Sequence, residues 1–264
     1  MLTVTVAGGI QRILLDRPDA KNALTVEMRD AITTAVRTAR ADAAIRCVLI
    51  TGAGDAFCSG MDLSASTVMQ AGQPQFRTRM TSEALRVGVQ SFIRELWELD
   101  KPTVAAVNGA AVGPGAHLAL ACDFVLVHTG TCFVWTFPKW GLVVDAGGAY
   151  LLPRLVGLPK AKALVMLGES VGGPDAVAAG LALECFDDAA MMLAAAEDLS
   201  RRLAAGPTRS LGLSKRLLNS SFETNLATSM DLEGHFQALA TTSPDLLEGM
   251  AAFGEKRAAE FTGE

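Results

Sequence analysis

The sequence carries two glycine-bearing segments, Ala56-Phe57-Cys58-Ser59-Gly60-Met61-Asp62-Leu63 and Asn108-Gly109-Ala110-Ala111-Val112-Gly113-Pro114-Gly115-Ala116-His117. Each follows an apolar run typical of a β-strand, so each turn can direct main-chain N–H groups toward one point. Two converging N–H donors stabilise an oxygen that becomes negative during a reaction, as an oxyanion hole does. Pro114, which has no N–H, stands where a donor is wanted. The two segments therefore predict an α/β fold with an oxyanion site. Pro114 cannot supply the second donor of that site.

Length and charge limit the class of protein. The 264 residues suffice for one large α/β domain or for a core with an appended region. Half of the residues are hydrophobic, which supplies a substantial core. The formal net charge is -5, and like charges do not cluster in any block. Nucleic acid is therefore not expected as a partner, because its binding needs a basic patch.

The five cysteines lie in apolar surroundings, without CxxC spacing or neighbouring histidines that would mark a metal site. Buried thiols in a reducing compartment explain their odd number. Residues 1–6 show a strand pattern instead of a signal peptide, and no apolar run reaches membrane-spanning length. The sequence predicts a cytoplasmic protein with neither a membrane segment nor a metal.

Strand patterns, glycine-rich turns and helical patterns alternate along the first two thirds of the chain. A hairpin is predicted over residues 2–15, and Thr25 is expected to cap a helix that buries Met28, Ile32, Ala35, Val36 and Ala39. Further strands are predicted at 47–51, 104–107 and 124–127, and helices at 76–99 and from the second glycine segment to about residue 121. The last third is helical, with segments at 151–156, 160–167, 174–179, 189–204, 208–218, 221–239 and from 243 onward.

A series of short motifs runs along nearly the whole chain. They are Arg17-Pro18 with 22–24, 57–63, 101–109, Cys122-Asp123, Gly141-Leu142 with Asp145 and Gly147-Gly148, Leu152-Pro153-Arg154 with Gly157, Ala176 with Gly180-Leu181, and 253–257 with Phe261. In order and spacing these motifs resemble the crotonase superfamily, the enoyl-CoA hydratase/isomerase family. The resemblance implies an α/β fold, a crotonase-like spiral of repeated ββα units with a helical C-terminal region.

The resemblance also implies that two regions of the chain have different roles. Residues 1–200 would form the ββα core with an acyl-CoA site, and residues 201–264 a helical region for trimerisation and site closure. A homotrimer or a dimer of trimers is expected, with an acyl-CoA thioester as substrate. Because CoA is part of that substrate, no separate cofactor is expected. The residues it implies for CoA contact are Lys21, Ala23, Ser59, Gly60, Met61, Asp62, Leu63 and, more weakly, Lys256.

The family's two oxyanion donors fall on the main-chain nitrogens of Met61 and Pro114. Met61 qualifies, whereas Pro114 has no N–H. Proline at the first helical position also has a purely structural explanation, because an N–H there would lack an intrahelical acceptor. Two interpretations stay open: either Gly115 or the helix dipole replaces the missing donor, or catalysis is impaired.

Proton transfer needs a side chain with a free lone pair near the α- or γ-carbon. Hydratases of the family use two glutamates, and those positions here hold His117 and Phe137. Isomerases of the superfamily often use one carboxylate. In some of them this carboxylate lies in the loop after Gly-Leu, which is the place of Asp145 in this sequence. Asp145 is therefore the expected acid/base, its pKa raised by the apolar neighbours Val143, Val144 and Phe137. The alternative is that Asp145 only caps the helix that follows.

His117 also has two interpretations. Near the start of a helix it would stay neutral and accept a proton or position water, or it is a packing residue. Pro114, Phe137 and Trp140 are expected to line the substrate pocket, and the polar residues 64–75 to shape its acyl end. Cys58 is expected to be a buried thiol and not a nucleophile.

Three functions remain from these residues. Double-bond isomerisation of an enoyl-CoA through an enolate, with Asp145 as acid/base, is preferred. Hydration of an enoyl-CoA by His117 and Asp145 is the first alternative. A non-catalytic acyl-CoA-binding paralogue is the alternative of another class, because a donor and both glutamates are missing.

Overall fold

The computed structural model describes residues 1–62 and 78–264. Leu63 and the segment 64–75, for which the sequence predicts CoA contact and the shaping of the acyl pocket, lie outside the described residues. The larger of two sheets consists of six strands: β1 (Leu2–Ala7), β2 (Ile10–Leu15), β3 (Cys47–Gly52), β5 (Thr103–Val107), β7 (Phe124–His128) and β10 (Glu184–Phe186). They are adjacent in this order. The β1–β2 hairpin is antiparallel and all other pairs are parallel.

The smaller sheet holds β4 (Ala56–Cys58), β6 (Ala110–Val112), β8 (Cys132–Val134) and β9 (Ser170–Gly172), adjacent in this order. Its first three strands directly follow β3, β5 and β7 of the larger sheet. The chain thus passes from one sheet to the other three times, which produces the ββα repeat. One of these crossings is tight, because a Cβ on Gly109 would lie 2.1 Å from the main-chain oxygen of Asp55.

The described α-helices connect and cover these sheets. They are α1 (Val26–Ala41), α2 (Thr78–Val87), α3 (Val89–Trp97), α4 (Pro114–Leu120), α5 (Gly148–Val156), α6 (Leu158–Leu167), α7 (Gly173–Ala178), α8 (Ala189–Ala205), α9 (Thr208–Ser220), α10 (Leu226–Ala240) and α11 (Pro244–Glu255). Short 3₁₀ turns lie at Pro18–Ala20 and Phe137–Trp140. Helix α8 packs its Met192 and Ala196 on one face of the larger sheet. The main core lies between the other face and α1, α3 and α4.

Much of the predicted element order is confirmed. The hairpin forms, and the Thr25 side chain accepts from the Met28 N–H at 3.2 Å and caps α1. The single helix predicted over residues 76–99 was wrong as a continuous element, because Gly88, with φ -94° and ψ -105°, separates α2 from α3. The three-residue strands β4, β6, β8, β9 and β10 were missed, since runs this short carry too little periodicity.

The C-terminal third is helical, as predicted, but several of the predicted bounds differ. Helix α10 begins at Leu226 and not at residue 221, because Asn225 provides its N-cap through a bond from the Thr228 N–H at 3.0 Å. Residue 200, the predicted boundary between the core and the C-terminal region, lies inside α8, which continues to Ala205. Among residues 1–62 and 78–264, no helix combines the length and apolar character needed to cross a membrane.

Candidate active site

The fold brings the two glycine segments into contact. Strand β4 pairs in parallel with β6, so the turns that follow both strands lie side by side. A Cβ added to Gly60 would lie 3.0 Å from the Val112 oxygen, and one added to Gly115 would lie 2.4 Å from the Cys58 oxygen. Glycine at both positions is therefore what allows the two turns to approach this closely.

The main-chain N–H of Met61 points away from the neighbouring segment that contains Leu24. Leu24 and Met61 form an isolated parallel bridge, in which the Leu24 N–H donates to the Gly60 oxygen at 2.8 Å and the Asp62 N–H donates to the Leu24 oxygen at 2.9 Å. In this pattern the N–H of Met61 points to the opposite side. Within the described residues no acceptor is seen for it. In the part of the chain that the structure describes, the Met61 N–H is thus an unused donor on the edge of the site.

The start of α4 provides the second set of donors. Gly113, at φ 50°, is the N-cap and Pro114 occupies the first helical position. The His117 N–H donates to the Gly113 oxygen at 3.0 Å, so helical bonding begins only at His117. The N–H groups of Gly115 and Ala116 have no acceptor among the described residues, as expected for a first helical turn. The missing donor of Pro114 is therefore followed at once by an available N–H on Gly115.

A buried asparagine fixes the loop that precedes α1. Asn22 adopts φ 56° with its amide saturated: Oδ1 accepts from the Arg17 N–H at 2.8 Å, and Nδ2 donates to the carbonyls of residues 53 and 56. The Arg17 guanidinium donates to the Ala23 oxygen at 2.7 Å and to Asp62 Oδ2 at 3.0 Å. These bonds hold Ala23 and Asp62, two of the predicted CoA contacts, on one rim.

Lys21 and Ser59 belong to the same rim. The Ser59 N–H donates to the Lys21 oxygen at 2.9 Å. The Lys21 ammonium pairs with Asp55 at 2.6 Å, and both side chains are exposed. A surface pair of this kind is weak enough for an incoming anionic group to replace. Lys256 is exposed at the carboxyl end of α11, and no described contact joins it to the rim.

Asp145 precedes α5 and is half-buried, with Oδ1 buried and without a hydrogen-bond partner among the described residues. Burial raises its pKa from 3.8 to about 6. The capping alternative finds no support, because the N-cap of α5 is Gly147 and no side chain caps it. Val143 was wrongly expected to desolvate Asp145, since it is 83% exposed; Val144 instead packs toward the core.

His117 is completely buried beneath the Asp145 loop. Its Nε2 accepts the Trp135 indole N–H at 3.0 Å, and its ring stacks on Phe137 with centroids 6.0 Å apart. Burial lowers the pKa of His117 to about 3, so the ring is neutral. Because Trp135 occupies the Nε2 lone pair, His117 has only Nδ1 left for other partners. Trp135 thus contacts a predicted site residue.

The other predicted site residues differ in the solvent exposure of their side chains. Phe137 is buried and lies against Gly113, whose added Cβ would be 3.5 Å from its ring, whereas Trp140 is 58% exposed. Burial raises the pKa of the Cys58 thiol to about 12, so it stays protonated and unreactive. Within the described ranges, no three His, Cys, Asp or Glu side chains lie close enough together to hold a metal ion.

This chain resembles known proteins over nearly its whole length. Residues 5–264 match the family model "Enoyl-CoA hydratase/isomerase". The chain is 38% identical over 263 residues, 98% of this chain and 97% of that protein, to the 1,2-epoxyphenylacetyl-CoA isomerase of Escherichia coli K12. It is 35% identical over 261 residues, 98% of this chain and 96% of that protein, to a Rhodobacter capsulatus protein named a probable enoyl-CoA hydratase.

A crystal structure from Streptomyces coelicolor A3(2) that carries the name of an enoyl-CoA hydratase superposes with a TM-score of 0.93 at 36% identity. That superposition covers 100% of this chain and 94% of the other. The predicted crotonase-like α/β fold with a helical C-terminal region is confirmed. The chain belongs to the enoyl-CoA hydratase/isomerase family, the crotonase superfamily.

Proposed function

We propose that this protein isomerises a double bond of an enoyl-CoA through a thioester enolate, with Asp145 as the single acid/base. The observation that carries the proposal is the buried Oδ1 of Asp145, which has no hydrogen-bond partner among residues 1–62 and 78–264. A carboxylate whose pKa lies near 6 ionises at neutral pH and still returns a proton readily. The 38% identity to the 1,2-epoxyphenylacetyl-CoA isomerase supports isomerisation of a CoA thioester as the reaction class, while the substrate in that protein's name is an epoxide and not an enoyl thioester.

The proposed reaction moves one proton. The Asp145 carboxylate removes the α-proton of a β,γ-enoyl thioester. The electron pair of that C–H bond forms a double bond between the α-carbon and the thioester carbon, and the π electron pair of the thioester C=O moves to its oxygen. The N–H groups of Met61 and Gly115 stabilise that oxygen as it becomes negative. Protonated Asp145 then gives its proton to the γ-carbon, the carbonyl re-forms, and the double bond ends between the α- and β-carbons.

The CoA portion of the substrate is proposed to lie along the rim of the first glycine segment. The rim residues are Lys21, Ala23, Ser59, Gly60, Met61 and Asp62, which the described hydrogen bonds hold together. Lys21 supplies an exposed positive charge for a phosphate group. Pro114 and Phe137 are proposed to line the acyl pocket next to the oxyanion donors, with Trp140 at its exposed edge.

Hydration by His117 and Asp145 is the second candidate, favoured by the names of the Rhodobacter and Streptomyces proteins. The bond from Trp135 weakens it, since the Nε2 lone pair of His117 is already engaged. A non-catalytic binder is the third candidate. The raised pKa of the half-buried Asp145 carboxyl favours catalysis over binding alone.

Ultraviolet absorbance of the conjugated enoyl thioester separates the three candidates. Vinylacetyl-CoA, which has a β,γ double bond, is expected to gain absorbance with this enzyme as crotonyl-CoA forms. Crotonyl-CoA incubated with the enzyme is expected to lose only the absorbance of the fraction that equilibrates with the unconjugated isomer. A fast loss of crotonyl-CoA absorbance with formation of hydroxybutyryl-CoA would favour hydration, and no change with either thioester would favour a binder.

We propose that the protein assembles through its C-terminal helices into a homotrimer, alone or doubled. No residue of α10 is buried within the chain. Large apolar side chains of this region are exposed, including Leu226 at 76%, Leu247 at 71% and Phe253 at 88%. A cleft of about 880 Å³ opens between α9, α10 and α11. Apolar surface of this extent on one region is typical of a subunit interface.

Light scattering is expected to give three or six times the chain mass of 27.6 kDa. Leu226→Glu combined with Leu247→Glu should lower that mass, because two charges would be buried in the interface. Val6→Glu, which changes an exposed residue of the β1 edge strand, is the matched control and should leave the mass unaltered. A monomer mass for the unchanged protein would contradict the proposal.

A reducing, cytoplasmic setting is proposed for the enzyme. All five cysteines are free thiols, and three of them are buried. Burial raises the pKa of Cys47 and Cys58 to about 12, which suits thiols that stay reduced and inert.

A further inference from the structure

Tyr150, in the first turn of α5, joins that helix to the C-terminal region. Its hydroxyl donates to Glu223, which lies in the connection between α9 and α10. The Arg154 guanidinium lies 3.5 Å from the centre of the Tyr150 ring and 3.7 Å from the Glu223 carboxylate, and it donates to the Tyr150 oxygen at 3.0 Å. Trp97, the last residue of α3, meets the ring edge-to-face with centroids 5.8 Å apart. Three neighbouring side chains therefore hold the Tyr150 ring.

The phenol of Tyr150 is the hydrogen-bond donor in this cluster. Partial burial and the bond to Glu223 raise the pKa of Tyr150, so the phenol stays protonated at neutral pH. A hydrogen bond to an ionised carboxylate is stronger than one between neutral groups. A guanidinium over an aromatic face is also attracted by the electrons of the ring. Charge therefore adds to packing in fixing the ring.

The main chain of Tyr150 continues this attachment toward Asp145. The Tyr150 N–H donates to the Gly147 oxygen at 2.9 Å, and the Gly148 N–H donates to the Asp145 oxygen at 2.9 Å. In the turn between them, Ala146 adopts φ 47° and Gly147 adopts φ 78°. A non-glycine residue in this conformation is strained and persists only where its surroundings hold it. Since none of the described side chains caps α5, its anchored first turn is a support for this strained turn.

We propose that Tyr150 is a positioning residue for Asp145, and that Glu223 anchors it to the C-terminal region. The fixed ring holds the first turn of α5, and the two main-chain bonds connect that turn to the one that aims the Asp145 carboxylate. In this assignment neither Tyr150 nor Glu223 exchanges a proton with the substrate. The inference deepens the proposed function and rests on the role of Asp145 as acid/base.

Removal of either partner tests the bond between Tyr150 and Glu223. Tyr150→Phe keeps the ring but loses the donor, and Glu223→Ala loses the acceptor. Each is expected to lower kcat on vinylacetyl-CoA about fivefold with KM little changed, because a displaced catalytic group loses rate even when the substrate still binds. The double variant should also lose about fivefold, and not about 25-fold, since both changes remove the same bond. Glu223→Gln, whose amide oxygen still accepts from the phenol, should restore most of the rate.

The variants are expected to fold, because the Glu223 side chain is 53% exposed and Tyr150→Phe leaves the ring in place. Glu184→Ala, which changes an exposed glutamate of β10, is the matched control and should keep the wild-type kcat. A wild-type kcat in both Tyr150→Phe and Glu223→Ala would overturn the positioning role. So would losses that multiply in the double variant.

Asp145→Asn distinguishes a failure of this inference from a failure of the proposed function. If Asp145→Asn keeps the wild-type rate, the proposed function fails. If Asp145→Asn is slow but Tyr150→Phe and Glu223→Ala keep the wild-type kcat, the proposed function stands and only the positioning role is overturned. Added to Asp145→Asn, Tyr150→Phe is expected to cause no further loss, because no carboxylate is left to aim. A further fivefold loss in that background would mean that Tyr150 acts on another part of the site, and would contradict the inference.

Discussion

Replacement of Asp145 by asparagine is expected to lower the rate of vinylacetyl-CoA isomerisation by about 10³-fold, because general acid/base catalysis by one side chain contributes on the order of 10²–10⁴-fold. Asparagine has nearly the same shape but has no basic lone pair at neutral pH. The fold should persist, since Oδ1 makes no hydrogen bond within the described structure. Initial rates measured at several pH values give the comparison.

The pH dependence adds a second criterion. Because burial raises the pKa of Asp145 to about 6, kcat/KM of the wild-type enzyme should fall as the pH drops through about 6 and level off above it. The same shift means that the ionised carboxylate costs stability above about pH 6, so Asp145→Asn should be no less stable at neutral pH. Asp175→Asn, an exposed aspartate of α7, serves as control. A wild-type rate in Asp145→Asn would remove Asp145 from the mechanism.

Replacement of Gly115 by alanine is expected to cause the second large loss. The new Cβ would lie 2.4 Å from the Cys58 oxygen and 2.8 Å from its Sγ, so α4 and β4 must separate. Overpacking of this kind costs about 1–3 kcal/mol of stability. Separation also moves the Gly115 N–H relative to the N–H of Met61, and loss of one oxyanion donor costs about 10²-fold in rate. Thermal unfolding and the vinylacetyl-CoA assay measure the two effects.

Gly254→Ala is the matched control, because an added Cβ at this position on α11 meets no atom within 4 Å. It should keep the wild-type rate and gain slightly in stability, as alanine is the better helix former. A Gly115→Ala enzyme that keeps both its stability and its rate would mean that α4 and β4 are not in the contact described, and that the second donor lies elsewhere.

The sequence predicted those parts of the fold that depend on long, regular patterns. The helical spacing of residues 28–39 defined α1, and the Thr25 hydroxyl placed its start within one residue. The three-residue strands of the smaller sheet could not be found in this way. The break at Gly88 was also missed, because a single glycine inside a helical pattern is usually tolerated.

The sequence predicted the residues of the site from their types, but it did not predict the geometry of the site. Pro114 identified the missing donor, but only the pairing of β4 with β6 shows that the turn holding Gly115 packs against residues 58–60, directly before Met61. His117 was recognised as unusual, yet its partner Trp135 is 18 residues away and carries no motif. Contacts between distant side chains in a core depend on packing, which the spacing of one chain does not reveal.

The central claim is that Met61 and Gly115 together hold the thioester oxygen while Asp145 faces the α-carbon. A crystal structure with a bound, unreactive acyl-CoA tests it most directly. We predict that the thioester oxygen accepts hydrogen bonds from both N–H groups, with donor-to-acceptor distances of about 2.7–3.2 Å, and that the Asp145 carboxylate lies next to the α-carbon. A thioester oxygen beyond hydrogen-bond reach of the Gly115 N–H, or an α-carbon facing a group other than Asp145, would contradict the account.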